Sequence, residues 1–148
     1  MQTLEYLGTG AEDPRPGLVD FLVNAIGPRG SVVAYNASFE GNCLKDLALE
    51  SIRERLWDLA GPFRKGLYVH PGFRGSWSIK AVLPALVPDM SYANLAIRDG
   101  SQAQAAYASL MRGGLSREEA EKLRRDLKEY CGQDTLAMVK LLDLLTAL

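Results

Sequence analysis

Residues 31–40 read SVVAYNASFE, a β-branched apolar run from Ser31 to Tyr35 that gives way at Asn36 to a segment opening a helix. The run lacks the apolar/polar alternation of a half-solvated strand, so it is expected to form a short buried strand entered through the Pro28-Arg29-Gly30 turn. Ser38 can cap a helix running to about Ala48. Strand followed by helix points to an α/β fold, in which ligands gather just past the carboxyl ends of buried strands. Asn36, Phe39 and Glu40 occupy that position. Residue type alone leaves two readings of each polar member. Asn36 either makes a turn or positions a ligand, and Glu40 either favours the first helical turn through the helix dipole or faces a site.

Outward toward the amino terminus, Thr3 to Leu7 (TLEYL) reads as a short strand and Gly8 to Gly10 as a turn. Asp13 and Pro14 then suit an N-cap and first helical position, with Leu18, Phe21, Leu22, Ala25 and Ile26 at helical spacing up to Gly27. Outward toward the carboxyl terminus, Ile52, Leu56 and Leu59 predict one helix over Glu50 to Ala60. Residues 61–75 (GPFRKGLYVHPGFRG) read as an ordered loop with a short strand at Leu67 to Val69. Pro84 is expected to split the segment after Ser78 into two helical pieces, because it has no N–H to donate. A helix over Gln102 to Met111 follows the Asp99-Gly100 turn and ends at Gly113-Gly114. In the last segment Ser116 and Glu119 form a capping box. An apolar stripe through Leu123, Leu127, Tyr130, Cys131, Met138, Leu141, Leu142 and Leu145 then predicts a helix nearly to the end.

With 148 residues, 47% of them hydrophobic and 24% charged, the chain suits a single domain with its own core over residues 1–148. The balance of 17 basic against 18 acidic residues supplies no overall basic field, so any nucleic-acid contact must be local. Cys43 and Cys131 are far apart and belong to no Cys-x-x-Cys or Cys/His cluster, which argues against a zinc site and for two reduced thiols. His70, the one histidine, has no nucleophile patterned to work with it and reads as a loop residue. There is no apolar stretch of membrane-spanning length and no signal-peptide pattern, so a cytoplasmic protein without a membrane partner is expected.

Tyr130 and Asp134 lie one helical turn apart on the apolar stripe. A carboxylate there must meet a metal, a cation or a solvated cleft, or else lie at the stripe's rim in water. Phe73, Arg74, Trp77 and Lys80 combine aromatic and basic groups in one loop, a mixture that stacks bases and holds phosphates. Alternatively Phe73 and Trp77 only anchor the loop. Arg53, Arg55, Arg64 and Lys65 either extend a basic rim or are ordinary solvated charges.

Asn36, Phe39 and Glu40, followed by Tyr130 and Asp134, resemble in order and spacing the second and third motifs of the ribonuclease-H-like Asp-Glu-Asp-Asp exonuclease superfamily, tyrosine variety. Ser78-Ile79-Lys80-Ala81-Val82 resembles the Ser-Leu-Lys segment that often lies between them. From Tyr35 to Leu145 the chain looks closest to a bacterial domain of unknown function found after RecB-like nuclease domains. The resemblance implies a ribonuclease-H-like α/β fold with a small mixed sheet flanked by helices and a long carboxyl-terminal helix. It also implies hydrolysis of single-stranded DNA or RNA by two Mg²⁺ or Mn²⁺ ions roughly 4 Å apart. Asp134 would be a direct metal ligand, Glu40 would belong to the metal site by holding a metal-bound water from the second motif, and Tyr130 would orient the attacking water. Asn36, Phe39, Arg74, Trp77 and Lys80 would bind substrate.

The family's first motif, Asp-x-Glu on the first strand, is missing: none of the nine aspartates is followed two positions later by glutamate. The resemblance puts its expected place upstream of Met1, so TLEYL is expected to be the third strand of a truncated fold and this form of the exonuclease is expected to be inactive. Glu40 stands where the family has Asp, which moves the carboxylate by about one carbon–carbon bond length. Without the first strand, SVVAY would present an open edge. The hypothesis is that TLEYL or a second copy of the chain covers that edge, and a monomer in solution with the edge open contradicts it. A second class of function, a non-catalytic nucleic-acid-binding or protein-interaction module of a larger nuclease-related protein, predicts binding without metal dependence.

Overall fold

The computed structural model describes residues 2–10 and 12–147. Helix α1 (Arg15–Ile26) leads through Gly27, at φ 65°, into strand β1 (Val32–Ala34), and helix α2 (Ala37–Asp46) follows. A four-residue helix α3 (Glu50–Arg53) then precedes strand β2 (Leu56–Asp58) and the short helix α4 (Gly61–Arg64). After a 3₁₀ turn at Pro71–Phe73 come α5 (Ile79–Leu86), α6 (Gly100–Arg112) and α7 (Arg117–Thr146). The two strands pair in parallel, with Val32 opposite Leu56, Val33 opposite Trp57 and Ala34 opposite Asp58. The result is a small α/β fold with a long carboxyl-terminal helix, as expected.

Several expected elements differ. Glu50 to Ala60 is not one helix, because α3 stops after one turn and β2 begins. Ile52, Leu56 and Leu59 satisfy a helical repeat, but Leu56 to Asp58 extends to pair with β1, a partner more than twenty residues away that no local pattern reveals. TLEYL is not a strand; it has no ladder partner and runs beside α7, with Thr3 to Leu7 and residues 127–135 lining a common crevice. Leu67 to Val69 is likewise irregular. Pro84 does not divide α5, since in an eight-residue helix it stands three positions from the end and removes a single backbone bond. Ser38 lies inside α2, whose N-cap is Asn36. That helix ends at Asp46 rather than Ala48, which adopts the left-handed φ of 56°.

Local signals hold best in the last two helices. Asp99 caps α6 by accepting from the Gln102 N–H at 2.9 Å, and Ser116 and Glu119 close a reciprocal capping box on α7. The principal core joins α7, through Leu127, Tyr130, Ala137 and Leu141, to Val82 and Leu83 of α5, Leu110 of α6, and Leu59, Phe63 and Phe73. A smaller cluster of Leu44, Leu49 and Ile52 receives Val19, Leu22 and Ile26 from α1, a helix with no fully buried residue.

The Val32 N–H donates to the Arg55 carbonyl and the Leu59 N–H donates to the Ala34 carbonyl, so residues 32 and 34 face β2 and Val33 presents its N–H and C=O to the opposite edge. TLEYL does not cover that edge. An apolar groove of about 340 Å³ runs beside it, bounded by Leu18, Leu22 and Ile26 of α1, Phe39 and Cys43 of α2, and Met138 of α7. Among the described residues both cysteines are free, and no helix is long and apolar enough to cross a membrane.

Candidate functional site

The carboxyl ends of β1 and β2 lie side by side, and one side chain ties them together. Asp58 Oδ1 accepts from the Asn36 N–H and from the Ala60 N–H, each at 3.0 Å, while Oδ2 pairs with Arg64 Nη2 at 2.9 Å. Asn36 itself takes the left-handed conformation (φ 64°, ψ 58°), which asparagine tolerates better than most residues, and its Oδ1 accepts from the Ser38 hydroxyl. This sharp turn starts α2 and places Glu40 in its first turn.

Glu40 Oε2 is buried and has no hydrogen-bond partner. Burial raises the carboxyl's pKa, and the charge of Asp58 pushes in the same direction. The folded protein therefore holds a proton that the unfolded chain releases. Glu40 supports folding below the ordinary glutamate range, and that support is lost as pH rises through its raised value. We expect Glu40→Gln, which is neutral throughout, to melt higher than the parent near pH 7, with the difference closing as the pH falls below the ordinary glutamate range. Melting curves across that interval check it. A lower melting temperature at neutral pH would mean that the Glu40 carboxylate is well solvated or paired.

On the other side of the site, Asp134 of α7 accepts a 2.7 Å hydrogen bond at Oδ1 from the hydroxyl of Tyr92, a buried residue of the α5–α6 loop. Gln133 also holds that loop, donating to the Ser91 carbonyl. The Tyr92 and Tyr130 rings lie 6.2 Å apart. Burial and the neighbouring Asp134 push the Tyr130 phenol up to about 12 and raise the phenol of Tyr92 as well. Burial, with Asp58 adding to it, also raises Tyr35. All three phenols are therefore protonated at neutral pH and act as donors, not bases.

The structure thus places Tyr130 and Asp134 together with Tyr92, and Asn36 and Glu40 together with Asp58. Glu40 and Met138, the latter one turn beyond Asp134 on α7, line the same groove. Phe39 lines it too and is largely exposed. Trp77 lies elsewhere, under the Arg64 guanidinium at 5.7 Å, with its carbonyl accepting from the Tyr35 hydroxyl. Arg74 and Lys80 are exposed, and Phe73 is buried in the core as an anchor. The His70 Nδ1 accepts from the Gly72 N–H and caps the 3₁₀ turn.

Asp58 and Tyr92 were missed by sequence reasoning. Asp58 was hidden inside a run read as helix, and Tyr92 offered only one aromatic residue in an irregular loop that also carries Val87, Met90, Leu95 and Ile97. Among the described residues no group of three or more His, Cys, Asp or Glu side chains is arranged to hold a metal ion.

Residues 1–78, from the amino-terminal segment through Ser78, match the family described as "Domain of unknown function (DUF2779)". The chain belongs to the DUF2779 family. The DUF2779 match takes in Asn36, Glu40 and Asp58 and stops before Tyr130 and Asp134. Curated bacterial relatives extend further along the chain. "Uncharacterized protein MG366 homolog" of Mycoplasma pneumoniae is 29% identical over 153 residues, covering 90% of this chain and 23% of the relative. "Uncharacterized protein MG366" of Mycoplasma genitalium is 29% identical over 131 residues, covering 75% and 20%. "Uncharacterized protein UU173" of Ureaplasma parvum is 28% identical over 134 residues, covering 74% and 19%. The chain therefore spans about a fifth of the length of these relatives. No solved structure matches it.

Proposed function

We propose that this stretch of DUF2779 is the carboxyl-terminal part of a ribonuclease-H-like exonuclease domain acting on single-stranded DNA or RNA. The observation that carries the reading is the orphaned Glu40 carboxylate oxygen in a groove that also receives Met138, one turn beyond Asp134 on α7. A buried acceptor without a donor is costly unless something outside this stretch satisfies it. Asp134, with Oδ1 held by the Tyr92 hydroxyl, supplies a second oriented carboxylate.

The donor set is too small for a two-metal centre, so these residues by themselves do not fit Mg²⁺ or Mn²⁺. In this reading Glu40 and Asp134 are a partial contribution, the remaining carboxylates come from elsewhere in the longer protein, and the stretch alone is inactive. Tyr130 and Tyr92 orient groups by donating protons they do not lose. Phe39 lines the groove beside Glu40, and Asn36 makes the turn that starts their helix.

The test is an assay of a full-length relative on labelled single strands with Mn²⁺, comparing the parent with variants at the positions matching Asp134 and Tyr130. Loss of about 100-fold or more on replacing Asp134 by Ala, with the fold intact by circular dichroism, is expected. Absence of cleavage, or cleavage indifferent to that change, removes the catalytic reading. It would leave the second reading, a binding module, which is favoured by a different part of the surface.

A further inference from the structure

From Leu59 to Pro88 the chain carries Arg64, Lys65, Arg74 and Lys80 and no aspartate or glutamate, although 18 acidic residues occur in the whole. The loop that bears this charge is firmly anchored. Phe63 meets Phe73 edge-on at 5.7 Å and Tyr68 at 6.0 Å, and both phenylalanines are buried. Anchoring therefore does not require the large side chains that the loop and β2 leave exposed: Trp57 (43%), Leu67 (77%), Val69 (75%) and Trp77 (40%). Residues of this kind on an ordered surface mark a contact site.

Two concavities meet at Arg64. One, of about 250 Å³, is lined by Arg64, Val69, His70 and Trp77; the other, of about 340 Å³, by Trp57, Asp58, Arg64, Lys65 and Leu67. An extended partner crossing Arg64 enters both. Arg64 is itself fixed, lying over the Trp77 ring and paired with Asp58. Both of the chain's two tryptophans lie on this surface.

We propose that Trp57, Arg64, Lys65, Arg74 and Trp77 form a docking platform for a single-stranded nucleic acid, with bases stacking on the two indoles and phosphates held by the cations. Arg64 and Lys65 outnumber the one acid that lines these concavities, Asp58, and so complement a polyanion, while flat exposed rings complement bases, a pairing that neither an acidic peptide nor inorganic phosphate uses in full. The proposal extends the catalytic reading to a separate surface and stands or falls without it, since none of its residues is a carboxylate of the groove.

The chain is titrated with a fluorescein-labelled oligothymidylate of about 12 nucleotides in EDTA at low salt, following anisotropy and intrinsic tryptophan fluorescence. Binding with quenching is expected, weakened roughly 5- to 150-fold by either Trp57→Ala or Trp77→Ala and retained by Trp77→Phe. Lys65→Gln should lower the slope of log affinity against log salt by about 0.7. Unchanged melting temperatures show that the variants fold. No binding overturns the proposal. So does equal affinity for inorganic polyphosphate of matched charge, preference for polyglutamate, or indifference to both tryptophan substitutions. Because EDTA removes divalent ions, these outcomes are independent of whether any longer protein cleaves.

Discussion

Leu141→Ala should lower the free energy of unfolding by about 3 kcal/mol, read from the urea midpoint at unchanged slope. Leu141 has no exposed surface and lies in the principal core, near the end of α7. Truncation there removes burial and leaves a cavity that the surrounding core only partly collapses to fill. Leu67→Ala is the matched control. Leu67 is 77% exposed, so the same chemical change should stay within about 0.5 kcal/mol. Similar losses at the two positions would mean that the final turns of α7 are not packed as described.

Asp58→Ala should cost about 3 kcal/mol, because it strips the acceptor from the Asn36 and Ala60 N–H groups and the partner from Arg64. Most of that loss belongs to the two backbone donors; the ion pair is partly exposed, with Asp58 at 23% and Arg64 at 40%, and adds little. Asp58→Asn keeps an acceptor and should cost about 1 kcal/mol. It should also move Glu40 toward its ordinary pKa, since the charge of Asp58 helps hold Glu40 up. Carboxyl-carbon chemical shifts titrated in parent and variant check that sign. An upward move, or none, would mean that Asp58 does not act on Glu40 through its charge.

The elements that could be read in advance are those whose ends are written in nearby residues. Ser116 and Glu119 satisfy each other's backbone within four positions, so α7 begins where local chemistry places it, whereas Asp99, read as part of a turn, caps α6 so that it starts at Gly100, two residues before the expected Gln102. The apolar stripe of α7 likewise predicts its buried face, including Leu127, Tyr130 and Leu141. The α2 turn was legible as a place, at Asn36 to Glu40, but not in its geometry: Ser38 suited a cap, yet the left-handed Asn36 took that position because Asp58 holds its N–H. The candidate site was visible in the same partial way. Glu40, Tyr130 and Asp134 could be named from the chain, whereas Asp58 and Tyr92, which orient the strand ends and Asp134, could not.

By itself the sequence determined the α/β class, the strand at Val32 to Ala34, the two capped carboxyl-terminal helices and the residue types available for chemistry. These depend on hydrophobic period and on hydrogen bonds closed over a few positions. Only the tertiary structure decided that Leu56 to Asp58 is a strand, that TLEYL is not, that the outer edge of β1 stays open among the described residues, and that Tyr92 reaches Asp134 from 42 residues away. The physical reason is that a strand's hydrogen bonds and a buried carboxylate's donor both come from partners distant in the chain, so the free energy that selects them exists only once the core has brought those partners together.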